Sequence, residues 1–355
     1  MKEYYLRVEG VNLASVLEDI TQLSVVRGGS LLLRHAIKDI REKWQEKWKG
    51  KLEPISTGAS MGLFRICSED PNSIRDKLAA DLAQDPQIQH FTFVVDVQPE
   101  LENPRKTQEA ITARNRFRQL QQLSLALPPR NQNQFKPCEW DNLRPGDGQI
   151  EIRRDQGIER PHVSRSVEVR HNYGRKQKQE FYRNETRENN VVDPLIEQLE
   201  FTNELDEIAT STQLDNLENK LAVVYVDGNG FGSIQRDHCK NAGELHSFDE
   251  KVQGYRRAFL KNFLLEISND PDFKVGNQLR LETLLWGGDE INLGRASLER
   301  LLDTQLFLRA EQKLDVPKRR RKRRRIDPRG RFGLLSLQDS HCSYQKVSAR
   351  TGGTS

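Results

Sequence analysis

The chain has 355 residues, 30% charged and 35% hydrophobic, a length and balance that predict two domains with modest cores. No stretch approaches the ~18 consecutive apolar residues of a membrane helix, and MKEYYLRVEG lacks a signal-peptide core, so a cytoplasmic protein with no membrane partner is expected. Cys67, Cys138, Cys239 and Cys342 form no CxxC pair, which argues against both a disulfide framework and a structural zinc.

Tyr4–Val8 reads as a strand, and a long helical region follows from Leu13 to about Trp48. Leu13, Val16, Leu17, Ile20 and Leu23 give its first apolar face. Arg27-Gly28-Gly29-Ser30 interrupts the pattern and marks a break or a close helix contact, with a phosphate loop as the lesser reading. Trp44 and Trp48, at i,i+4, read as a packing face. Ile55–Ser60 and Leu63–Cys67 form a hairpin, Ser73–Leu82 a helix and Phe91–Val97 a strand. The order is βαββαβ, and it defines a first domain over residues 1–100. Its hairpin tip, Gly58-Ala59-Ser60-Met61-Gly62, carries no carboxylate.

Residues 101–194 read as a helical and loop-rich connector. Pro104–Leu127 holds an Arg-rich helix with Ile111, Phe117, Leu120 and Leu123 as its apolar positions. Cys138 stands alone and is structural on that ground. Pro145–Asn190 is charged and poor in apolar residues, which predicts a solvated, mobile connector. Its Arg170–Lys178 stretch mixes bases with one tyrosine, and phosphate binding is the other reading there. Leu195–Ile208 reads as an amphipathic helix opening a second domain over residues 195–315.

Within that second domain, Leu221–Gly232 (LAVVYVDGNGFG) is an apolar, β-branched run ending in an acid. It predicts a buried strand that delivers Asp227 at its carboxyl end, where ligands collect in open α/β sheets. Phe248–Ile267 is a helix that buries Phe259, Leu260, Phe263, Leu264 and Ile267. His238 and Cys239 have no second pair to complete a metal site. Leu279–Leu293 (LRLETLLWGGDEINL) reads as a hairpin with a Gly287-Gly288-Asp289-Glu290 turn. If the two strands are neighbours, Asp227 and Asp289 converge beside a glycine-rich turn. Convergent carboxylates suit Mg²⁺, which takes one or two of them together with waters and substrate phosphates.

VYVDGNGFG followed by LWGGDE resembles the palm domain shared by GGDEF-type diguanylate cyclases and the large polymerase-like subunit of type III CRISPR effector complexes. The resemblance covers roughly Leu217–Leu293. It implies an α+β protein of two ferredoxin-like (βαββαβ) palms, the first lacking the acids. Carried over residue by residue, Asp227 and Asp289 hold two divalent cations, Mg²⁺ or Mn²⁺, with Glu290 as the adjacent catalytic group. Gly228, Asn229, Gly230, Phe231, Gly287 and Gly288 then face the nucleotide. Diguanylate cyclases usually show D-x-D-x-F-K. Here Asn229 replaces the second acid and no lysine follows Phe231, which favours the CRISPR-type palm.

What the resemblance implies is a nucleotidyltransferase. A 3′-hydroxyl of one nucleoside triphosphate attacks the α-phosphate of another, pyrophosphate leaves, and a cyclic or linear oligonucleotide forms in antiviral defence. RNA or a CRISPR-type complex is the implied partner. The alternative is a palm scaffold that binds nucleotide, RNA or protein without catalysis. No His-Asp pair near the N-terminus suggests the nuclease domain of many CRISPR relatives.

The net charge of +4 resides in the tail. Residues 318–355 hold twelve Lys/Arg against two Asp/Glu, and residues 1–317 are therefore net acidic by about 6. Lys318–Arg325 is an unbroken run of bases, expected to be disordered and to attract nucleic acid non-specifically. Leu298–Leu314 could supply a further helix. The abrupt change of composition after Leu293 predicts an aberrant or frame-shifted end and a basic tail over 316–355.

Overall fold

The structure, a computed structural model, describes residues 2–47, 52–101, 103–122, 136–154, 157–202, 205–209, 220–227, 231–287, 290–295, 333–336 and 343–346. The chain is α+β and divides into two compact units. The first comprises Met1–Lys178, Gly228–Val252 and Trp286–Gly288, the second Gln179–Asp227, Gln253–Leu285 and Asp289–Ser355.

In the first unit the elements run β1 (Lys2–Val11), α1 (Ala14–Leu17), α2 (Leu23–Lys47), β2 (Leu52–Thr57), β3 (Met61–Ser68), α3 (Pro71–Gln84), β4 (Thr92–Pro99) and α4 (Pro104–Leu120). The strands form one sheet in the order β2-β3-β1-β4. All three neighbouring pairs are antiparallel, with Leu6 opposite Phe64 on one side and Val97 on the other. Both faces are covered, which is why β1 is buried at successive positions. Leu6 and Val8 join Leu32, Ile37 and Ile40 of α2, Phe64 and Ile66 of β3, and Leu78 of α3. On the opposite face Tyr5, Ile55 and Leu63 pack with Ile111 of α4 and with Ala242 and Leu245. Each fully buried aliphatic side chain contributes about 1.5–3 kcal/mol.

Local sequence sets these helices. Asp70 accepts the Ser73 amide at 3.1 Å and Pro71 opens α3, while Ile74, Leu78 and Leu82 recur on one buried face. Asn103 caps α4, which also opens on a proline. The expected apolar face of α4 is corrected by the structure. Thr107, Ile111 and Asn115, spaced by four, face inward. Phe117 is 63% and Leu120 85% exposed, because six residues beyond Ile111 lies well off its face at 3.6 residues per turn. Leu123 lies outside the described residues.

The glycine pair in α2 does not break it. A Cβ on Gly28 would meet the Arg170 carbonyl and sit 2.9 Å from the Gly174 nitrogen, and a Cβ on Gly174 would lie 2.8 Å from the Gly28 nitrogen. Arg27 Nε donates to the Gly174 carbonyl at 2.9 Å. Here two helix backbones touch, and only glycine permits that approach. The second helix is α5 (Arg165–Thr186), reached after the short strands β5 (Gly148–Gln149), β6 (Ile152–Arg154), β7 (Gly157–Glu159) and β8 (His162–Val163).

The α5 helix corrects the expectation of a solvated connector over 145–190. Arg170 is fully buried. Its guanidinium donates to both oxygens of Asp19 at 2.9 and 2.8 Å, and to the Val16 carbonyl. Arg144 also pairs with Asp19, and with Asp141 at 2.8 Å. Burial works against the ionised Asp141. The Arg144 and Leu143 amides and the Arg144 guanidinium nevertheless hold its carboxyl below the usual carboxylate range. Composition suggested solvation, but distant acids neutralise these bases inside the fold. Cys138 is buried with Ile20, Val25 and Val167, consistent with a packing role.

The second unit continues α6 (Pro194–Glu197), β9 (Glu200–Phe201), α7 (Leu205–Ala209), β10 (Lys220–Asp227), α8 (Phe231–His238), α9 (Ala242–Ile267), β11 (Lys274–Val275), β12 (Gln278–Leu279), β13 (Leu281–Gly287) and β14 (Glu290–Arg295), of which α8 and the first half of α9 belong to the first unit. A single helix over 195–208 is not formed. Asp193 caps α6 at Leu195, and beyond it the Thr202 amide donates to the Leu279 carbonyl at 3.0 Å, turning the chain into a strand. On α9, Leu260, Phe263, Leu264 and Ile267 are buried and Phe259 stacks on Phe263.

The second sheet has the order β13-β14-β10-β15-β16, where β15 is Gly333–Ser336 and β16 Ser343–Lys346. β10 is antiparallel to both β14 and β15. Leu298–Leu314, Lys318–Arg325 and Trp48 lie outside the described residues. Among the described residues, no helix is long and apolar enough to cross a membrane.

Candidate functional site

The apolar run from Leu221 forms β10, and Asp227 is its last residue. The hairpin after Leu279 forms β13 and β14, with Gly287 ending the first strand and Glu290 opening the second. β10 and β14 pair from Ala222↔Arg295 to Asp227↔Glu290. The last pair of the register is thus an acid opposite an acid. Facing Cα atoms in an antiparallel pair lie about 4.5–5.5 Å apart. Asp289 precedes Glu290 by one residue, and consecutive Cα atoms are about 3.8 Å apart. The backbone therefore brings the segment carrying Asp289 and Glu290 to the end of the strand carrying Asp227.

Asp289, Gly288 and Gly228, Asn229 and Gly230 lie outside the described residues. Phe231 opens α8. Gly287 is buried, and a Cβ there would meet Ala59, 3.0 Å from its Cα and 3.2 Å from its nitrogen. In the first unit the turn between β2 and β3, Gly58 to Ser60, has no acid. Among the described residues, no group of three or more His, Cys, Asp or Glu side chains gathers as a metal cluster.

The base of β13 is held by polar groups whose role the sequence did not reveal. Tyr182 is 1% exposed, stacks on Phe201 at 3.9 Å between centroids, and pairs its hydroxyl with the Thr283 hydroxyl at 3.1 Å. Arg280 is 5% exposed and donates twice to the Ile208 carbonyl, at 3.0 and 2.8 Å, and to the Asp272 carbonyl at 3.1 Å. Burial lowers the Arg280 pKa, opposed in part by Asp272. The alternation L-R-L-E-T across 279–283 could have flagged these residues, since polar side chains inside a buried strand need partners.

Oxygen donors of the carboxylate class suit a hard divalent cation, and Asp227, Asp289 and Glu290 provide that donor type at neighbouring backbone positions.

No family model matches the chain, and no curated protein does. Among solved structures, the chain is similar to Csm1 of T. onnurineus at 11% identity and a TM-score of 0.47, over 83% of this chain and 44% of that one. The Csm1–Csm4 subcomplex of the type III-A CRISPR-Csm interference complex matches at 9% identity and a TM-score of 0.46, over 83% and 46% of the respective chains. The Csm1–Csm4 cassette in complex with one ATP matches at 10% identity and a TM-score of 0.47, again over 83% and 46%. The chain spans less than half the length of these structures.

Proposed function

We propose that this chain is a palm protein of the CRISPR type, a divalent-cation-dependent nucleotidyltransferase that joins nucleoside triphosphates into a cyclic or linear oligonucleotide. One observation carries the reading: Asp227 is the backbone partner of Glu290, one residue from Asp289. Strand order supports it. β2-β3-β1-β4 and β13-β14-β10-β15 each set a hairpin beside the first strand and a later strand on that strand's other side. We read both sheets as ferredoxin-like palms on that basis.

Asp227 and Asp289 would hold Mg²⁺ or Mn²⁺, with Glu290 as a further ligand or positioning group. Bound there, two ions would supply charge neutralisation for the triphosphate and acidify the attacking hydroxyl. The chain's own part is positioning. Glycines 228, 230 and 288 have no side chain to keep a phosphate oxygen from their backbone, and the paired strands end on Asp227 opposite Glu290. Such a transfer depends more on alignment and charge than on covalent catalysis.

The test is incubation with labelled ATP or GTP and Mg²⁺ or Mn²⁺, reading pyrophosphate release. Release that chelation and Asp289→Ala both abolish supports the enzyme. RNA binding without turnover, unchanged by Asp289→Ala, replaces it with the scaffold reading.

A further inference from the structure

The acid-free turn between β2 and β3 is braced from several directions. The Gly58 amide donates to the Met61 carbonyl at 2.7 Å, closing the turn, and the Gly10 amide donates to the Ser60 carbonyl at 2.7 Å, tying its far side to β1. One residue before the turn, the Thr57 amide donates to Asp249 at 3.1 Å, and the Ser56 hydroxyl to the other oxygen of the same carboxylate at 3.3 Å. Asp249 sits on α9, so a helix and a strand both hold the turn in place.

At its tip is Ala59, the residue that a Cβ on Gly287 would strike. All of these residues belong to the first unit. The obstruction includes backbone atoms of Ala59, at 3.0 and 3.2 Å, so no rotamer change can relieve it. Gly287 is also the last residue of β13.

We infer that the braced Gly58–Met61 turn is a steric stop: Ala59 against Gly287 sets where β13 ends. Ala59 is then a positioning residue, and Gly287 is a glycine because Ala59 abuts it rather than because a phosphate does. The consequence for catalysis rests on the function proposed above; the steric relationship does not.

Hydrogen exchange across Leu281–Arg295 in the full chain tests the stop without any need for turnover. Gly287→Ala should speed exchange there by about tenfold, the scale of an overpacked contact. Adding Ala59→Gly should return it part of the way, since the Ala59 Cα and nitrogen remain close. Ala59→Val, with Gly287 intact, should loosen the same peptides from the other side, a check that survives poor folding of Gly287→Ala. Exchange unchanged in Gly287→Ala and Ala59→Val, or no recovery in the double variant, overturns the inference. Pyrophosphate release is measured in parallel. A wild-type chain without turnover defeats the enzymatic reading alone, and the exchange data still decide the stop.

Discussion

Asp227 and Glu290 face each other as the final Cα pair of two antiparallel strands. The relationship ties two acids that stand 63 positions apart in the sequence. It also shows that the residue directly opposite Asp227 is Glu290, which follows Asp289 in the sequence. On the function proposed above, the two hairpin acids would divide the labour, and that is open to measurement.

Neutralising each acid in turn separates ligands from neighbours. Asp227→Asn and Asp289→Asn should weaken Mn²⁺ binding by more than the roughly 10–100-fold typical of an outer-shell partner. Glu290→Gln should fall within that range. Calorimetric titration of Mn²⁺ reads all three. Equal, small losses would show that no cation is held there.

The buried charges on α5 carry stability. Removing one member of a buried ion pair costs about 3–5 kcal/mol because the other charge is left without compensation. Arg170→Met leaves Asp19 with Arg144 as its remaining partner, so the lower end applies; Asp19→Ala takes the paired carboxylate from Arg170 and one of two from Arg144, which keeps Asp141, and the upper end applies. Urea midpoints should rank wild type, Arg170→Met, then Asp19→Ala. A solvated connector would show no such ranking.

The Tyr182 hydroxyl should matter through β13. Tyr182→Phe keeps the stack on Phe201 but removes the bond to Thr283, a loss of about 1 kcal/mol. Exchange at Leu281–Gly287 should rise while α3 is unaffected. Uniform change across the chain would contradict the local role.

Two histidines give the first unit an acid limb. Burial, reinforced by the positive charges of Arg170, Arg144 and Arg165, lowers the His90 pKa from 6.5 to about 4. Burial, with Arg175 and Arg27, does the same for His171, whose Nδ1 lies 2.7 Å from the Ser24 hydroxyl. The unfolded chain takes up these protons near pH 6.5 and the folded chain only near pH 4. Their contribution to stability is therefore complete above pH 6.5, falls between 6.5 and 4, and changes no further below that. Urea midpoints from pH 7 to 4.5 should drop, and His171→Gln should flatten the slope. An unchanged slope would place His171 in water.

Much of the fold follows from local pattern. β-branched runs with period two or full burial gave the strands at Leu6, Val95 and Val223, and capped, four-spaced apolar residues gave α3 and α9. The pairing of the strands behind the candidate site was legible because each of the two short motifs is joined to an apolar run. The α5 helix was not, because Arg170 is charged and its burial depends on Asp19, far away in sequence. The apolar face of α4 was misread because a helix's inward side is set by the sheet it meets, and that sheet selected Thr107, Ile111 and Asn115.

By itself, the sequence determined which residue types end the two strands, an acid at Asp227 and a glycine at Gly287. Only the tertiary structure decided that Asp227 is registered against Glu290, that Gly28 touches Gly174, and that Ala59 abuts Gly287. Register and backbone contact arise from the packing of whole elements, whose energies are summed over many distant residues and leave no mark at any single position of the chain.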